Sequence, residues 1–414
     1  MKASDTVQTW FQKSAILRWL RAWWTERITP GGRFLFLAFG LFFGYGTTSL
    51  ELQIFVPLLY MIALWSIAFF AMLLERPRAK VNVQHDGRVR AGQILNIEIE
   101  VEARGGTTRD WRVKPNVLPK GLELGFMHGA QIPPLKRGQS ARVLLPIQAN
   151  QRGAYDLQGW RVETDFPFGL LVAARTFPGH SSLLVHPTFT PLQRLDLPSG
   201  RRYQPGGVAS ASQRGESLEY IGNRDFREGD DVRHIDWRAT ARLQTPIVRE
   251  YREEYFLRAA VVLDTFAEEN ASSEYFERAI SLCASVCDFM AREDYLVDLF
   301  AAGPQIYHLT AGRNLAYLEQ ILDILACVET NSQTPFENLE PEIEEHLAQI
   351  TTIVCVFLDW TETRRAFVER LALQGAAIKV LLARDTPPTL DCSDSVVEIL
   401  QVPRTHFENG VGEL

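Results

Sequence analysis

Cysteine is scarce in this sequence. Five cysteines occur without a C-x-x-C pair, which excludes a disulfide framework and a cysteine zinc site. Cys283 and Cys287 fall on one face of a predicted helix, and small core residues are the simplest interpretation of both. Unpaired cysteines also fit a reducing cytoplasm.

Several catalytic and binding patterns are missing as well. No G-x-x-x-x-G-K-[ST] loop is present, so ATP hydrolysis by this chain is not expected. No serine or cysteine nucleophile motif occurs either. The net charge is −7 although residues 1–80 hold nine Lys/Arg against four Asp/Glu. The remaining chain is therefore strongly acidic, which argues against nucleic acid as a partner.

Two long apolar runs predict a transmembrane helical hairpin, at about 34–50 and 54–74. The second run carries no charge over 21 residues, which is long enough to span a bilayer. Basic residues flank both runs and are absent between them, so both ends are expected in the cytoplasm. The prediction is a multi-pass membrane protein with cytoplasmic soluble domains. The flanking bases are Lys13, Arg18, Arg21, Arg27, Arg33, Arg76, Arg78 and Lys80.

Residues 1–33 precede the hairpin and contain an amphipathic pattern. Ile16, Trp19, Leu20 and Trp23 recur at i, i+3, i+4 and i+7, which predicts a helix with one apolar stripe. A cytoplasmic helix lying in the membrane interface is one interpretation. A helix docked on the protein's own domains is the other.

Residues 81–190 show short alternating runs separated by Gly and Pro turns. This pattern predicts an all-β sandwich in the immunoglobulin style. The element Thr164–Leu170 (TDFPFGL) closes it, either as a structural turn or as a partner-docking loop. Residues 191–223 are rich in Pro, Gly, Ser and Arg and predict a linker or mobile loop.

The signature segment, residues 224–255, alternates arginines with carboxylates. This density predicts charge-assisted hydrogen bonds in which an arginine fork holds a carboxylate bidentately. EGDD is typical of a tight turn with positive φ at Gly229. Val232, Ile235 and Trp237 are predicted apolar anchors, and Asp236 a cap for a short helix. The predicted signature or interaction residues are Arg224, Asp225, Gly229, Asp230, Asp231, Arg233, Asp236, Trp237, Arg242, Arg249 and Glu250.

The run RDFREGDDVRHIDWRATAR followed by VRE resembles the bacterial domain-of-unknown-function family 58 (DUF58). The resemblance extends over most of the chain. It implies a membrane hairpin, a β-rich domain, the signature and a von Willebrand factor type A-like domain. It also implies a location in the bacterial inner membrane and an association with MoxR-type AAA+ ATPases.

Residues 256–403 alternate buried apolar strands with amphipathic helices, which predicts a doubly wound, mostly parallel α/β sheet. Residues 404–414 are expected to form a tail. Asp264 and Asp359 each follow a strand, at the edge where ligands gather on such sheets.

The resemblance to a type A domain implies a divalent cation site, Mg or Ca, built from Asp-x-Ser-x-Ser and later oxygen ligands. Here Phe266 and Glu268 replace the two serines, while Asp264 is retained and Asp359 is a candidate second ligand. The alternatives are a cation site and a degenerate site with structural carboxylates; no other cofactor is expected.

Three interpretations of the signature segment stay open. Its charges could fix domain orientation, form a docking surface, or be catalytic. The favoured function is a membrane-anchored adaptor, not an enzyme, that works with a MoxR-type ATPase and an unknown protein client in complex assembly or maturation. The alternative is a metal-dependent hydrolase that uses Asp230, Asp231, His234 and Asp236.

Overall fold

The computed structural model of the chain describes residues 23–48, 52–198, 218–253, 258–266, 273–302, 306–311, 315–331, 334, 336–393, 395–405, 412 and 414. The chain forms two compact units, Met1–Thr188 and Phe189–Leu414. Most of the predicted interfacial helix, including Ile16, Trp19 and Leu20, lies outside the described residues, although residues 23–27 are helical.

Two helices, α1 (Pro30–Thr48) and α2 (Leu52–Leu74), occupy the positions of the predicted hairpin. Within the described residues, Phe55–Leu74 is the segment long and apolar enough to cross a membrane, with a mean hydropathy of 2.1. Both helices also expose large apolar side chains such as Leu41 and Leu74. This supports membrane association through at least one span.

The base of α1 is joined to the turn after Thr164. Thr29 N donates to Leu170 O at 3.1 Å, and Val172 N donates to Arg27 O at 2.8 Å. Around these bonds, Ile28 is buried with Leu170, Leu171, Ala68 and Met72. Leu170, the last residue of the element Thr164–Leu170, and Val172 after it therefore bond to the base of α1. These contacts support the structural interpretation of this element.

Residues 79–186 form two sheets. The strands are β1 (Ala79–Gln84), β2 (Arg88–Arg90), β3 (Ile94–Ala103), β4 (Arg112–Pro115), β5 (Leu122–Leu124), β6 (Ala130–Gln131), β7 (Ser140–Ala149), β8 (Gly153–Thr164) and β9 (Ala173–His186). One sheet has the order β1-β3-β7-β5, and the other β2-β9-β8-β4-β6. Alternate residues of β3 and β7 share one core with residues of β8 and β9, as their period of two predicts.

The second unit begins with a two-stranded antiparallel sheet, β10 (Leu218–Asp225) and β11 (Ile247–Glu253), with a short helix α3 (Trp237–Leu243) between the strands. A six-stranded sheet follows. Its elements are β12 (Arg258–Leu263), α4 (Ser273–Arg292), β13 (Leu296–Ala302), β14 (Ile306–Ala311), α5 (Leu315–Cys327), α6 (Phe336–Leu347), β15 (Thr352–Phe357), α7 (Glu362–Leu373), β16 (Ala377–Leu382) and β17 (Glu398–Gln401).

The strand order of this sheet is β14-β13-β12-β15-β16-β17. Every neighbouring pair is parallel except β13 and β14, which form an antiparallel hairpin. Helices α4 and α5 contribute to one buried cluster and α6 and α7 to a second. Alternate residues of β12, such as Val261 and Val262, enter different clusters, which explains the unbroken apolar strands.

The predicted linker at 191–223 divides into three parts. Leu192 and Leu195 are buried in a core cluster of the second unit, and Lys379 Nζ donates to Asp196 O at 2.9 Å. Leu218–Asp225 is strand β10, while residues 199–217 lie outside the described part. The predicted tail differs too, because Leu414 N donates to Arg194 O at 3.1 Å. Leu192 and Leu195 are isolated apolar residues in a polar segment. They form no helical or strand period, so the sequence pattern could not predict their burial.

Candidate functional site

Between β10 and β11, the signature segment forms a turn, a single 3₁₀ turn and the short helix α3. Gly229 has φ of 104°, as predicted for the EGDD turn. The turn brings Asp230 back to Arg224, whose Nη1 and Nη2 donate to Oδ2 and Oδ1 at 2.7 and 2.8 Å. The Arg227 amide also donates to Asp230 Oδ2 at 2.7 Å. The predicted bidentate pair is present, and it closes the turn.

These contacts also set the charge state of Asp230. Hydrogen bonds from Arg224, with help from the Arg227 amide, lower the pKa of the Asp230 carboxyl to about 2. A carboxylate that is held this firmly in its ionised form is a poor proton donor or acceptor near neutral pH. Asp230 is therefore suited to fixing the turn.

Two further carboxylates cap short helices. Asp231 Oδ1 accepts from the Arg233 amide at 2.9 Å at the start of a single 3₁₀ turn, Val232–His234. Asp236 Oδ1 accepts from the amides of Arg238 and Ala239 at 3.1 and 3.0 Å, which confirms the predicted cap of α3. The Ala239 amide contributes most to lowering the pKa of Asp236.

The other oxygen of Asp236 faces the second strand. Arg249 Nε lies 3.5 Å from Asp236 Oδ2, and Asn223 Nδ2 lies 3.4 Å from the same oxygen. One carboxylate thus joins the capped helix to both strands. Asp225 is exposed, and the side chain of Glu250 lies outside the described residues.

The apolar residues of the segment do not all anchor it. Trp237 is 68% exposed, Val232 63% and Leu243 57%, so the prediction that Val232 and Trp237 are buried anchors is wrong. Val248 and Ile247 are buried instead. Helix α3 has seven residues, its first turn is capped by Asp236, and Ala239 is its buried residue. The other side of the helix is open to solvent. Arg233, Arg238 and Arg242 are exposed on the same segment.

The residues of the hydrolase alternative are not assembled into a metal site. Asp230, Asp231 and Asp236 each accept hydrogen bonds from nearby backbone amides, and His234 is exposed. Among the residues that the structure describes, three potential metal ligands meet elsewhere, at His308, Glu342 and His346. The three carboxylates of the signature segment are therefore engaged in turn and cap contacts.

Asp264 lies at the carboxyl end of β12 and forms a buried ion pair with Arg364. Arg364 Nε and Nη2 lie 2.8 and 2.7 Å from Asp264 Oδ2. Both side chains are almost fully buried, and the amides of Phe266 and Leu358 donate to the same carboxylate at 2.9 and 3.1 Å. Burial raises the pKa of Asp264, while Arg364 and the two amides oppose that rise.

Asp359 follows β15 and has its own cationic partner, Arg384. Thr389 donates to it through the backbone amide at 3.0 Å and through the hydroxyl at 2.6 Å. Burial opposes ionisation, but the bonds from Thr389 and Arg384 prevail and lower the pKa of Asp359. Each of the two predicted metal ligands is therefore neutralised by an arginine, as expected of structural carboxylates.

The third group was not predicted from the sequence. His308 comes from β14, while Glu342 and His346 come from α6, a helix that the sequence analysis missed. Pro341 and a run of glutamates hid this helix. Its signal was the spacing of Phe336, Leu339, Ile343 and Leu347, all of which are buried and share one helical face.

Comparison with known proteins finds a family match over the part of the chain that contains the signature segment, the Asp264–Arg364 pair and the His308, Glu342 and His346 cluster. Residues 222–377 match the family model Protein of unknown function DUF58. The predicted resemblance to DUF58 is confirmed over these residues, which run from β10 to the first residue of β16. The chain is also 22% identical over 320 residues to Uncharacterized protein YeaD of Bacillus subtilis (strain 168). The aligned region covers 75% of this chain and 77% of that protein. Neither name states an activity, so any function proposed for residues 222–377 has to rest on the geometry of their side chains.

Proposed function

We propose that this chain is a membrane-anchored protein-interaction protein whose signature segment docks a second protein. The observation that carries the proposal is the exposure of Trp237, at 68%, on a helix whose start is fixed by Asp236. The carboxylates of the segment bond to groups within the segment itself. Val232, Trp237, Leu243 and several arginines are left exposed to solvent. Trp and Arg dominate the binding energy of many protein interfaces.

The composition of this surface defines the partner. Arg233, Arg238 and Arg242 are exposed, and guanidinium groups bind carboxylates in planar, bidentate geometry. Trp237 and Leu243 supply exposed apolar area on the same short helix as Arg238 and Arg242. A complementary partner would therefore present an apolar pocket with an acidic rim. We propose a MoxR-type AAA+ ATPase, the partner class that the family resemblance implies, acting with this chain in the assembly or maturation of protein complexes.

Co-purification tests this role directly. The full chain in detergent is immobilised and exposed to a MoxR-type ATPase of the same genome, with and without nucleotide. We expect wild type to capture the ATPase and Trp237→Ala to weaken capture at least tenfold, or about 1.4 kcal/mol. Leu373→Ala is the control, because Leu373 is 88% exposed on the same unit but far from the signature in sequence. Failure of wild type to bind, or equal binding by the Trp237 variant, contradicts the proposal.

The membrane placement is part of this proposal. Exposed apolar side chains on both α1 and α2, among them Leu41 and Leu74, favour two spans surrounded by lipid. Arg27 and Arg76 flank these helices and Arg33 lies in the first turn of α1, so the soluble domains would be cytoplasmic at the inner membrane. Reporter fusions at the carboxyl terminus check this: cytoplasmic reporter activity is expected, and periplasmic activity would refute the orientation.

Two architectural inferences accompany the proposal. Two sheets that share one core support an immunoglobulin-like sandwich for residues 79–186. The six-stranded sheet with one antiparallel edge strand and helical clusters on both faces supports a type A-like domain. In such a domain the carboxyl edge of the sheet is the usual ligand site. The pairing of Asp264 with Arg364 favours a type A-like domain that works without a cation at that edge.

A further inference from the structure

Three metal-ligand side chains converge beside the edge hairpin of the six-stranded sheet. His308 lies on β14, and Glu342 and His346 are four residues apart on α6, which places them on one helical face. Their donor atoms all lie within 4.8 Å of one another. His308 Nδ1 is 3.1 Å from Glu342 Oε1, and the two imidazole centroids are 4.7 Å apart.

The ring of His308 is oriented by its surroundings. It stacks on buried Phe300 with 4.5 Å between ring centroids. Its Nε2 lies 3.4 Å from Thr310 Oγ1 and 4.0 Å from Asp298 Oδ1. Nε2 therefore faces oxygen acceptors on the strand side, and Nδ1 faces Glu342 on the helix side.

Asp298 is in turn fixed in place. It is fully buried, and Arg258 donates to it from Nε at 2.5 Å and from Nη2 at 3.1 Å. A histidine that binds a metal through one nitrogen commonly directs the other toward a carboxylate or hydroxyl, which fixes the tautomer. Thr310 Oγ1, at 3.4 Å, is within hydrogen-bond distance of His308 Nε2, and the carboxylate of Asp298, at 4.0 Å, lies just beyond it.

We propose that His308, Glu342 and His346 bind a zinc ion, with His308 coordinating through Nδ1. Two imidazoles and one carboxylate suit zinc, and three protein ligands leave one position of a tetrahedral site for an exogenous ligand such as water or a carboxylate. With metal–ligand distances of about 2.1 Å, tetrahedral donors stand roughly 3.4 Å apart. Rotations of the Glu342 and His346 side chains would close the gap from 4.8 Å. This site is independent of the docking proposal.

A simpler explanation is an ion pair between His308 and Glu342 that holds α6 against the sheet edge. That explanation uses only two of the three residues and gives His346 no role beyond ring contact. His346 therefore distinguishes the two accounts. A zinc site needs its imidazole nitrogen, whereas the ion pair does not.

Zinc titration of the purified full chain in detergent tests the site. The protein is stripped with a chelator and titrated with zinc in competition with a fluorescent zinc indicator. We expect one tight zinc per chain in wild type. We expect His346→Gln and Glu342→Gln each to lower the affinity by more than the roughly 10–100-fold that loss of an outer-shell partner costs.

Two variants serve as matched controls. Glu344→Gln changes a glutamate of the same helix that bonds to Gln374 instead, and His180→Gln removes a histidine whose side chain is 84% exposed. Both should bind zinc as wild type does. Glu342→Gln keeps the side-chain volume and an acceptor for His308, so circular dichroism should show an intact fold. A wild type that binds no stoichiometric zinc, or a His346→Gln variant with unchanged affinity, would overturn the proposal.

Discussion

Arg364 directs two guanidinium nitrogens at a single carboxylate oxygen of Asp264, with Nε at 2.8 Å and Nη2 at 2.7 Å. The same guanidinium donates to Phe266 O at 2.9 Å and to Thr361 Oγ1 at 3.1 Å. A positive charge from α7 thus lies beside the carboxylate of Asp264, which was predicted to bind a divalent cation.

Loss of this arginine should be costly. In Arg364→Met the buried carboxylate of Asp264 keeps two amide donors but has no counter-charge. Removing one partner of a buried ion pair typically destabilises a protein by about 3–5 kcal/mol. Chemical unfolding of the full chain in detergent measures this loss. Magnesium or calcium should leave the wild-type midpoint unchanged, because the guanidinium already neutralises Asp264.

The adjacent residue provides the control. Arg365 lies on the same helix, but its side chain is 44% exposed and pairs with Glu362 and Glu369 on the surface. Arg365→Met should alter the free energy of unfolding by no more than about 0.5 kcal/mol. Equal effects of the two substitutions would show that the buried pair has no special weight.

Local patterns in the sequence specify elements better than they specify partners. An alternating run of residues 81–190 forms the strand Ile94–Ala103, the apolar run before Asp264 forms β12, and Asp236 caps its helix. The partner of Asp264 is 100 residues away in sequence, and no spacing indicates it. The sequence also does not show which apolar residues of a short element are buried. Trp237 and Val248 are both apolar residues of the signature segment, but only Val248 is buried.

The pH dependence of the signature segment follows from Asp230. Its pKa is about 2 in the folded chain against an ordinary value of 3.8. A lowered folded pKa means that the carboxylate stabilises the turn fully above the ordinary value, and that this contribution is lost as pH falls toward 2. We expect protection of the Arg227 amide, which donates to Asp230, to decline over that interval. Hydrogen exchange with mass spectrometry measures it.

Two substitutions isolate this effect. In Asp230→Asn the protection of the Arg227 amide should be lower than in wild type at neutral pH and should vary little below pH 4, because no charge remains to titrate. Asp225→Asn, an exposed change on β10, should keep the wild-type profile. A wild-type profile in the Asp230 variant would mean that another group controls the turn.

The junction between α1 and the β-rich domain offers a test at the level of one methyl group. A Cβ added at Gly32 would lie 2.8 Å from Ile28 Cγ2 and still closer to Leu170 O, whereas at neighbouring Gly31 the nearest atoms are 3.8 Å away. Gly32→Ala should therefore push α1 away from residues 170–172, which hold its base, and destabilise the unit by roughly 1–3 kcal/mol.

Thermal unfolding in detergent can resolve this difference, because each kcal/mol shifts the Tm of a domain of this size by about 2–4 °C. Gly31→Ala should be neutral or slightly stabilising, since alanine favours helix and meets no close atom at that position. Both substitutions add the same methyl group to the same helical turn. A lower Tm for Gly32→Ala alone would therefore report the contact with Leu170 and Ile28. Equal Tm values would mean that the hairpin base is not held as the bonds of Thr29 to Gly169 and Leu170 indicate.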